Sequence, residues 1–505
     1  MAQFNSFQKE VAREYLTTRN NIAVMSSAGS GKTTLLCGLA QRIKKPNSFT
    51  FLAFTNATAE VLKKRLPKLE HAIQTTYSLG YKNVRNYLPA EAQLEVHANK
   101  AMDTYDELIN GDAGWESTYM AASGMLLDQN MYETKRQVCE LQRLSLLNCF
   151  IEIEDIYEFA HQLNAGWGHT NSHLRWYSKL AHKITKVNYE LLMDEYILDF
   201  AEMIAWPAMW DDLLPVEYDE IFIDEFQDLS VAQQTLVFKS LRKGGQIVMV
   251  GDKSQAIYGF AGADHNSADS MVEMFNAKKM PMPINYRCGF EIIKHAQELD
   301  PVIQAHEGAP AGKVLEATPG EALVYIMDNQ RETLVLGRTN LVLIKLAMKL
   351  LKLDRQFTFK RDILQERLNG LISRATGANP KVEITSFKPW LQLQIDFANE
   401  KKLSSQLDLL ECLDTFYDSY RPKTWAQFKR SIKKFFDTSS KQSNLTLSTI
   451  HAAKGDEACI VVYYGTNLVP HRLSTTAAEL QQEANLEYIA RTRAKEVLVR
   501  VNLED

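Results

Sequence analysis

Two clusters of residues in this 505-residue chain carry side chains able to handle phosphate. The first is Ser26-Ser27-Ala28-Gly29-Ser30-Gly31-Lys32-Thr33, followed by Leu35, Leu36 and Leu39 at helical spacing. Gly29 and Gly31 allow backbone N–H groups to close on phosphate oxygens at a helix N-terminus, Lys32 has the reach for β and γ phosphates, and the Thr33 hydroxyl suits Mg²⁺. A full Walker A loop opens with Gly where this chain has Ser26. The second cluster, Ile221-Phe222-Ile223-Asp224-Glu225, is an apolar run ending in two carboxylates. Asp224 fits a Mg²⁺-holding role, directly or through water, and Glu225 that of orienting and deprotonating an attacking water. Each cluster also has a plainer reading: a Gly-Ser-Gly-Lys-Thr turn in a structural loop, and a solvated acidic strand end.

Such groups need a rigid frame, and the apolar patterning supplies one. Runs rich in β-branched and aromatic residues at Ile22–Met25, Phe49–Phe54, Glu220–Ile223 and Ile247–Val250 each end in a polar or Gly-rich turn. Apolarity without alternation suits strands covered on both faces, as in parallel α/β sheets. A later set, Thr333–Leu336, Leu445–Thr449, Ile460–Tyr464 and Val497–Val501, predicts a second α/β sheet. The intervening residues near 81–190 and 351–440 read as mainly helical insertions.

Composition narrows the classes. With 45% apolar and 24% charged residues, 23 Gly and 14 Pro, the chain reads as globular, and disorder or collagen-like repeats are excluded. Lys plus Arg number 57 against 62 Asp plus Glu, a net charge of −5, so any polyanion site must be local. Two helical faces offer one: Arg421, Lys423, Lys429, Arg430, Lys433 and Lys434 opposite Trp425, Phe428, Ile432 and Phe435, and Arg175, Lys179 and Lys183 at i, i+4, i+8. A solvated face accounts for either as well. The six cysteines form no C-x-x-C pair, which argues against zinc and iron–sulfur sites. With no basic, apolar leader and no long uncharged apolar run, the expectation is a cytosolic, reduced protein without a membrane partner, nucleoid-associated or, in a eukaryote, nuclear.

The acidic run continues as Asp224-Glu225-Phe226-Gln227-Asp228, and the next strand leads into Gly251-Asp252-Lys253-Ser254-Gln255-Ala256-Ile257-Tyr258-Gly259-Phe260-Ala261. With these residues the chain resembles the UvrD/Rep family of superfamily 1A DNA helicases, in a short form. Further segments match in order. Phe4-Asn5-Ser6-Phe7-Gln8 resembles the adenine-reading Q motif, Phe54-Thr55-Asn56-Ala57 motif Ia and Thr75-Thr76-Tyr77-Ser78 motif Ib. Leu198-Asp199-Phe200-Ala201-Glu202 resembles the family's Asp-Phe segment, and Asn285-Tyr286-Arg287-Cys288 motif IV. Leu336-Gly337-Arg338-Thr339-Asn340 falls at the entry to the second motor lobe, Thr449-Ile450-His451-Ala452-Ala453-Lys454-Gly455-Asp456-Glu457 resembles motif V, and Tyr488-Ile489-Ala490-Arg491-Thr492-Arg493-Ala494 motif VI.

The resemblance implies two RecA-like P-loop motor domains with parallel sheets, each carrying a mainly helical insertion. Residues 1–80 with 191–285 would form the first lobe and 81–190 its insertion; residues 286–350 with 441–505 would form the second lobe and 351–440 a reduced insertion. By resemblance, Gln8, Ala28, Gly29, Ser30, Gly31, Lys32, Thr33, Thr34, Tyr286, Arg287, Glu457 and Arg493 belong to an ATP site. Gln8 reads and Tyr286 stacks the base, Glu457 approaches the ribose, and Arg287 and Arg493 are arginine fingers that clamp the γ-phosphate when the lobes close. Gln255 links the γ-phosphate region to the strand track. Phe54, Tyr258 and Phe260 would stack bases, with Thr55, Asn56, Tyr77, Thr449 and His451 also on the DNA. The implied activity is ATP- and Mg²⁺-dependent translocation on single-stranded DNA and unwinding at single-strand/duplex junctions, 3′→5′. The alternative is a DNA-stimulated ATPase subunit that signals to a partner such as a nuclease; a P-loop ATPase acting on protein would leave the aromatic platforms without a role. The chain departs from the family at Tyr77 for His, Ala261 for Arg, Asp456 for Leu and Thr34 for an adenine-sandwiching Arg, and Ala484-Asn485 replaces an Arg pair. It ends soon after motif VI, with no appended nuclease in view.

Overall fold

A computed structural model describes residues 4–43, 48–111, 113–123, 127–163, 169–257, 266–360, 364–376, 383–400, 403–438 and 443–504. The chain divides into two compact units, one from Met1–Ser26, Gly31–Ala165 and His169–Met282, the other from Ser27–Ser30 together with Pro283–Asp505.

The first unit is built on a six-stranded, all-parallel sheet of β1 (Ile22–Ser26), β2 (Phe49–Ala53), β3 (Ile73–Thr75), β4 (Tyr218–Asp224), β5 (Leu241–Gly251) and β6 (Lys278–Met282), in the order β3-β2-β4-β5-β1-β6. Two apolar cores cover its faces. One gathers Val11, Leu35, Leu36, Leu62 and Phe222; the other gathers Leu79, Ile204, Phe226, Leu236 and Met271. Burial on both sides is why the central strands read as unbroken apolar runs. In register, Met25 lies beside Gly251 and Asp224 beside Val250, so the C-terminal ends of β1, β4 and β5 share one sheet edge. The helices Lys100–Gly111, Ala113–Ser123, Leu127–Leu147, Ile153–Leu163 and Asn171–Glu195 form the insertion.

The second unit holds another parallel six-stranded sheet, β7 (Lys313–Ala317), β8 (Thr333–Gly337), β9 (Thr358–Phe359), β10 (Leu445–Thr449), β11 (Ala458–Tyr464) and β12 (Ala494–Val501), in the order β7-β12-β11-β8-β10-β9. All eight strands anticipated from the sequence are present, and all occupy interior positions. Within these two sheets the four that were not anticipated, β3, β6, β7 and β9, are the edge strands. Edge strands carry a weaker signal because one backbone side has no ladder partner and a face is often wet. β6 contains Lys278, Lys279 and Pro281, β7 is largely exposed, and β9 has two residues.

The second insertion packs on the sheet of its unit. Phe387, Leu410, Phe416, Phe428, Ile432 and Phe435 from its helices join one apolar cluster with Val335, Leu445, Leu447 and Val462 of the sheet. The helix Trp425–Thr438 buries Phe428, Ile432 and Phe435 as its spacing predicts, while Arg430, Lys433 and Lys434 are exposed. Among the described residues no helix is long and apolar enough to cross a membrane.

Candidate nucleotide site and strand track

In the first unit the helix Lys32–Ala40 starts at Gly31, whose φ of +83° is the left-handed backbone that glycine adopts without strain. No side chain caps this helix, so its first N–H groups keep their donors for a ligand. A Cβ on Gly31 would stand 3.0 Å from Gln8 Nε2, which itself donates to the Gly31 carbonyl at 3.5 Å. Gln8 is held in turn by a reciprocal cap with Asn5. Thr33 and Thr34 are half-buried on the first turn.

Lys32 Nζ lies 2.8 Å from both carboxylate oxygens of Glu225. Burial works against the ammonium, but the charges of Glu225, Asp252 and Asp224 outweigh it and hold the Lys32 pKa above its ordinary value. Asp224 is buried at the end of β4, and its Oδ1 has no hydrogen-bond partner. Burial first, then the neighbouring charge of Glu225, raise its carboxyl above the ordinary range against the pull of Lys32. Such a carboxylate favours a cation. Glu225 itself sits at φ +57°, ψ +45°, an uncommon place for a side-chain-bearing residue, which costs of order 1–3 kcal/mol and points its carboxylate off the strand axis.

From Glu225 a hydrogen-bonded chain runs along the sheet edge. Gln227 Nε2 donates to Glu225 at 2.8 Å and to Asp228 at 3.0 Å, while its Oε1 accepts from the Asp252 N–H at 3.1 Å. Gln255 Nε2 donates to Asp252 Oδ2 at 2.6 Å. Gly251 must be glycine because the Gln227 and Phe226 side chains fill the place of a Cβ. Lys32, Glu225 and Gln255 were expected at the site. Gln227 and Asp252, which join them, were not singled out, although both lie inside the quoted acidic segments.

The candidate track residues of this unit share its surface. Thr55 caps the helix Asn56–Arg65 by accepting from the Thr58 N–H at 3.1 Å, and both Thr55 and Asn56 are exposed. Phe54 is half-buried against the core. Tyr77 is half-buried edge-on to Phe200, with ring centroids 6.3 Å apart, and Phe200 is 52% exposed. Phe200 was not among the residues expected on the strand track from the sequence. Tyr258, Phe260 and Ala261 lie outside the described residues.

In the second unit, Asn285 Nδ2 donates to the Ala28 carbonyl at 2.7 Å, and the Tyr286 N–H to the Gly29 carbonyl at 2.9 Å. Ser30 is buried, and its hydroxyl has no hydrogen-bond partner. Arg287 pairs with Glu457 at 2.6 Å and donates to the Thr492 carbonyl at 3.2 Å; Lys495 meets the other Glu457 oxygen at 2.9 Å. Burial pushes the Glu457 carboxyl up, but its bonds to these two cations leave it below its ordinary value. Arg493 is buried and donates to the carbonyls of Ile489 at 3.2 Å and Asp456 at 3.3 Å. Asp456, one of the departures from the family pattern, pairs with Lys360 at 2.9 Å, so the acid has a local partner. Thr449 Oγ1 accepts from the Ala452 N–H at 3.3 Å. Burial, then Arg338, lower the His451 pKa to about 4, so any contact it makes near neutral pH is that of an uncharged imidazole. Arg338 is itself fixed by bidentate contact with Glu483.

Residues 4–276, more than half of the chain, match the UvrD/REP helicase N-terminal domain, and residues 345–502 match the UvrD-like helicase C-terminal domain. The chain belongs to the UvrD/REP helicase family. Its two parallel sheets are the sheets of two RecA-like motor domains. Over 375 residues it is 27% identical to the ATP-dependent DNA helicase PcrA of Staphylococcus epidermidis, covering 66% of this chain and 48% of that protein. Over 303 residues it is 23% identical to the ATP-dependent DNA helicase Rep of Buchnera aphidicola subsp. Acyrthosiphon pisum, covering 56% of this chain and 43% of that protein. The PcrA of Bacillus subtilis is 23% identical over 319 residues, covering 59% and 39%. The chain thus spans less than half the length of these UvrD/REP relatives.

Proposed function

We propose that this UvrD/REP chain is an ATP-driven single-stranded DNA translocase and helicase that moves 3′→5′. The observation that carries the reading is the continuous hydrogen-bonded chain Lys32–Glu225–Gln227–Asp252–Gln255. It runs from the phosphate loop to the segment that the family resemblance places on the DNA, so a change of charge at the phosphate has a direct route to the strand track.

ATP phosphates fit the uncapped helix N-terminus and the glycine loop. The Thr33 hydroxyl and Asp224 carboxylate suit Mg²⁺, which takes few protein ligands when phosphates supply the rest and which neutralises charge on the transferring phosphoryl group. Lys32 leaves its pairing with Glu225 for the phosphates, and Glu225 is then open to accept a proton from the attacking water. Arg287 and Arg493 supply the positive charge that phosphoryl transfer requires. Tyr286 stacks the base, while Gln8 reads it and Glu457 takes the ribose. Phe54, Tyr77 and Phe200 meet bases of the single strand, together with Tyr258 and Phe260.

Unwinding of a duplex bearing a 3′ single-stranded tail, against one bearing a 5′ tail, tests the proposal. ATP-dependent displacement from the 3′-tailed duplex alone is the expected result. ATP hydrolysis without displacement from either, with displacement restored by an added protein, supports the partner-dependent ATPase instead.

A further inference from the structure

Residues 450–457 join β10 to β11 in the second unit, and they place an acid in the same turn as residues read as strand contacts. The start of the turn is tied to the sheet. The Ile450 N–H donates to the Gly337 carbonyl at the end of β8 at 3.0 Å, and the Ala453 N–H to the Thr449 carbonyl at 3.0 Å. Its end carries Gly455, at φ +94°, and then Asp456, whose N–H donates to the Ala453 carbonyl at 2.9 Å. Lys360 reaches this turn from the edge of the sheet. Thr358 and Phe359 of β9 pair in parallel with Thr446 and Leu447 of β10, and the Lys360 N–H donates to the Leu447 carbonyl at 2.8 Å. That register delivers the Lys360 side chain, whose Nζ donates to the Ala452 carbonyl at 2.6 Å and to Asp456 Oδ2 at 2.9 Å. One ammonium thereby bridges two points of the turn. Among the described residues no other cation pairs with the Asp456 carboxylate. The two side chains are 36% and 41% exposed, so water screens the pair and it contributes little to folding. Next to a nucleic-acid strand the same charges matter more, because every phosphate is negative and a bare carboxylate beside them opposes binding.

We infer that Lys360 is a positioning residue for single-stranded DNA. It cancels the charge of Asp456 and holds that acid against the body of the turn, so that Thr449 and His451 meet the strand without a repelling carboxylate beside them. The inference rests on the reading of Thr449 and His451 as strand contacts.

The test is an anisotropy titration of a labelled oligothymidylate with the full chain, at salt concentrations on either side of about 0.1 M, where the Debye length is about 10 Å. Lys360→Met is expected to raise Kd about 3- to 10-fold at the lower salt, the size of one uncompensated carboxylate set against one or two phosphates in water, and less at the higher salt. Lys360→Arg keeps the cation and is expected to bind as the wild type does. The double variant, Lys360→Met with Asp456→Asn, removes both charges and is expected to recover the wild-type affinity. A double variant or a Lys360→Arg variant as weak as Lys360→Met assigns Lys360 a phosphate contact of its own or a general structural role, and overturns the inference. Unchanged affinity in Lys360→Met, where Thr449→Ala and His451→Ala weaken binding, overturns the inference alone. Unchanged affinity in both Thr449→Ala and His451→Ala removes the strand-contact reading and the inference with it.

Discussion

Lys100 and Glu202 form a buried ion pair that ties the helical insertion of the first unit to the helix carrying Phe200, and its two halves should fail differently. Lys100 Nζ donates to the carbonyls of Asn188 at 2.6 Å and Ile197 at 2.7 Å and to Glu202 Oε2 at 2.9 Å, and the two residues are 2% and 0% exposed. Glu202 also accepts from the Asp199 N–H at 2.8 Å. Glu202→Gln keeps the shape but strands a buried ammonium, which costs about 3–5 kcal/mol. Lys100→Met is expected to be milder, because the remaining acid can take a proton. Burial, then the charge of Asp199, already push Glu202 up to about 7 despite Lys100, from an ordinary 4.5. A raised acid binds more protons folded than unfolded, so stability falls as pH rises through that window, by at most about 1.4 kcal/mol per pH unit. The Lys100→Met deficit should therefore be small near pH 5 and grow towards pH 8, while Glu202→Gln shows no such growth from this site. Urea denaturation of the three proteins across that pH range measures both. Equal, pH-independent deficits would refute the reasoning.

Gln227→Leu removes the link between Glu225 and Asp252 without changing side-chain volume greatly; loss of hydrogen bonds to charged groups predicts a fall of about 10- to 100-fold in DNA-stimulated kcat with little change in KM for ATP. Steady-state kinetics with and without single-stranded DNA reads this, and a fall confined to KM would contradict it. Phe200→Ala should weaken binding of a labelled single strand by about 1–3 kcal/mol, the worth of one stacked base, while leaving the melting temperature nearly unchanged. Anisotropy titration checks the first and a thermal melt the second.

The interior of both sheets was legible because covered strands must be apolar on both faces, and their runs cannot be mistaken for loops. The edges were not: Pro281 breaks the β-pattern of β6, and Lys313 and Glu316 give β7 the look of a surface loop. At the site, residues with a distinctive type at a fixed spacing, such as Lys32 and Asp224, stood out. Gln227 and Asp252 did not, because the Gln227 amide oxygen meets the Asp252 backbone N–H only when the register of β4 against β5 brings the two strand ends together. Phe200 was quoted within a motif, yet its exposure depends on the cap at Asp199 that starts its helix, which spacing alone does not reveal. Residues 351–440 read as a mainly helical insertion, and spacing alone did not reveal that Phe428 and Phe435 would share a core with Leu445 and Leu447.

The most direct test is ATP hydrolysis by the wild type, Lys32→Ala and Glu225→Gln, each with and without single-stranded DNA. The account predicts strong stimulation of the wild type by DNA. It also predicts loss of hydrolysis in both variants, with Glu225→Gln, which lacks the proton acceptor, falling about 10²–10⁴-fold in kcat. Hydrolysis indifferent to DNA, or a Glu225→Gln variant as active as the wild type, would contradict it.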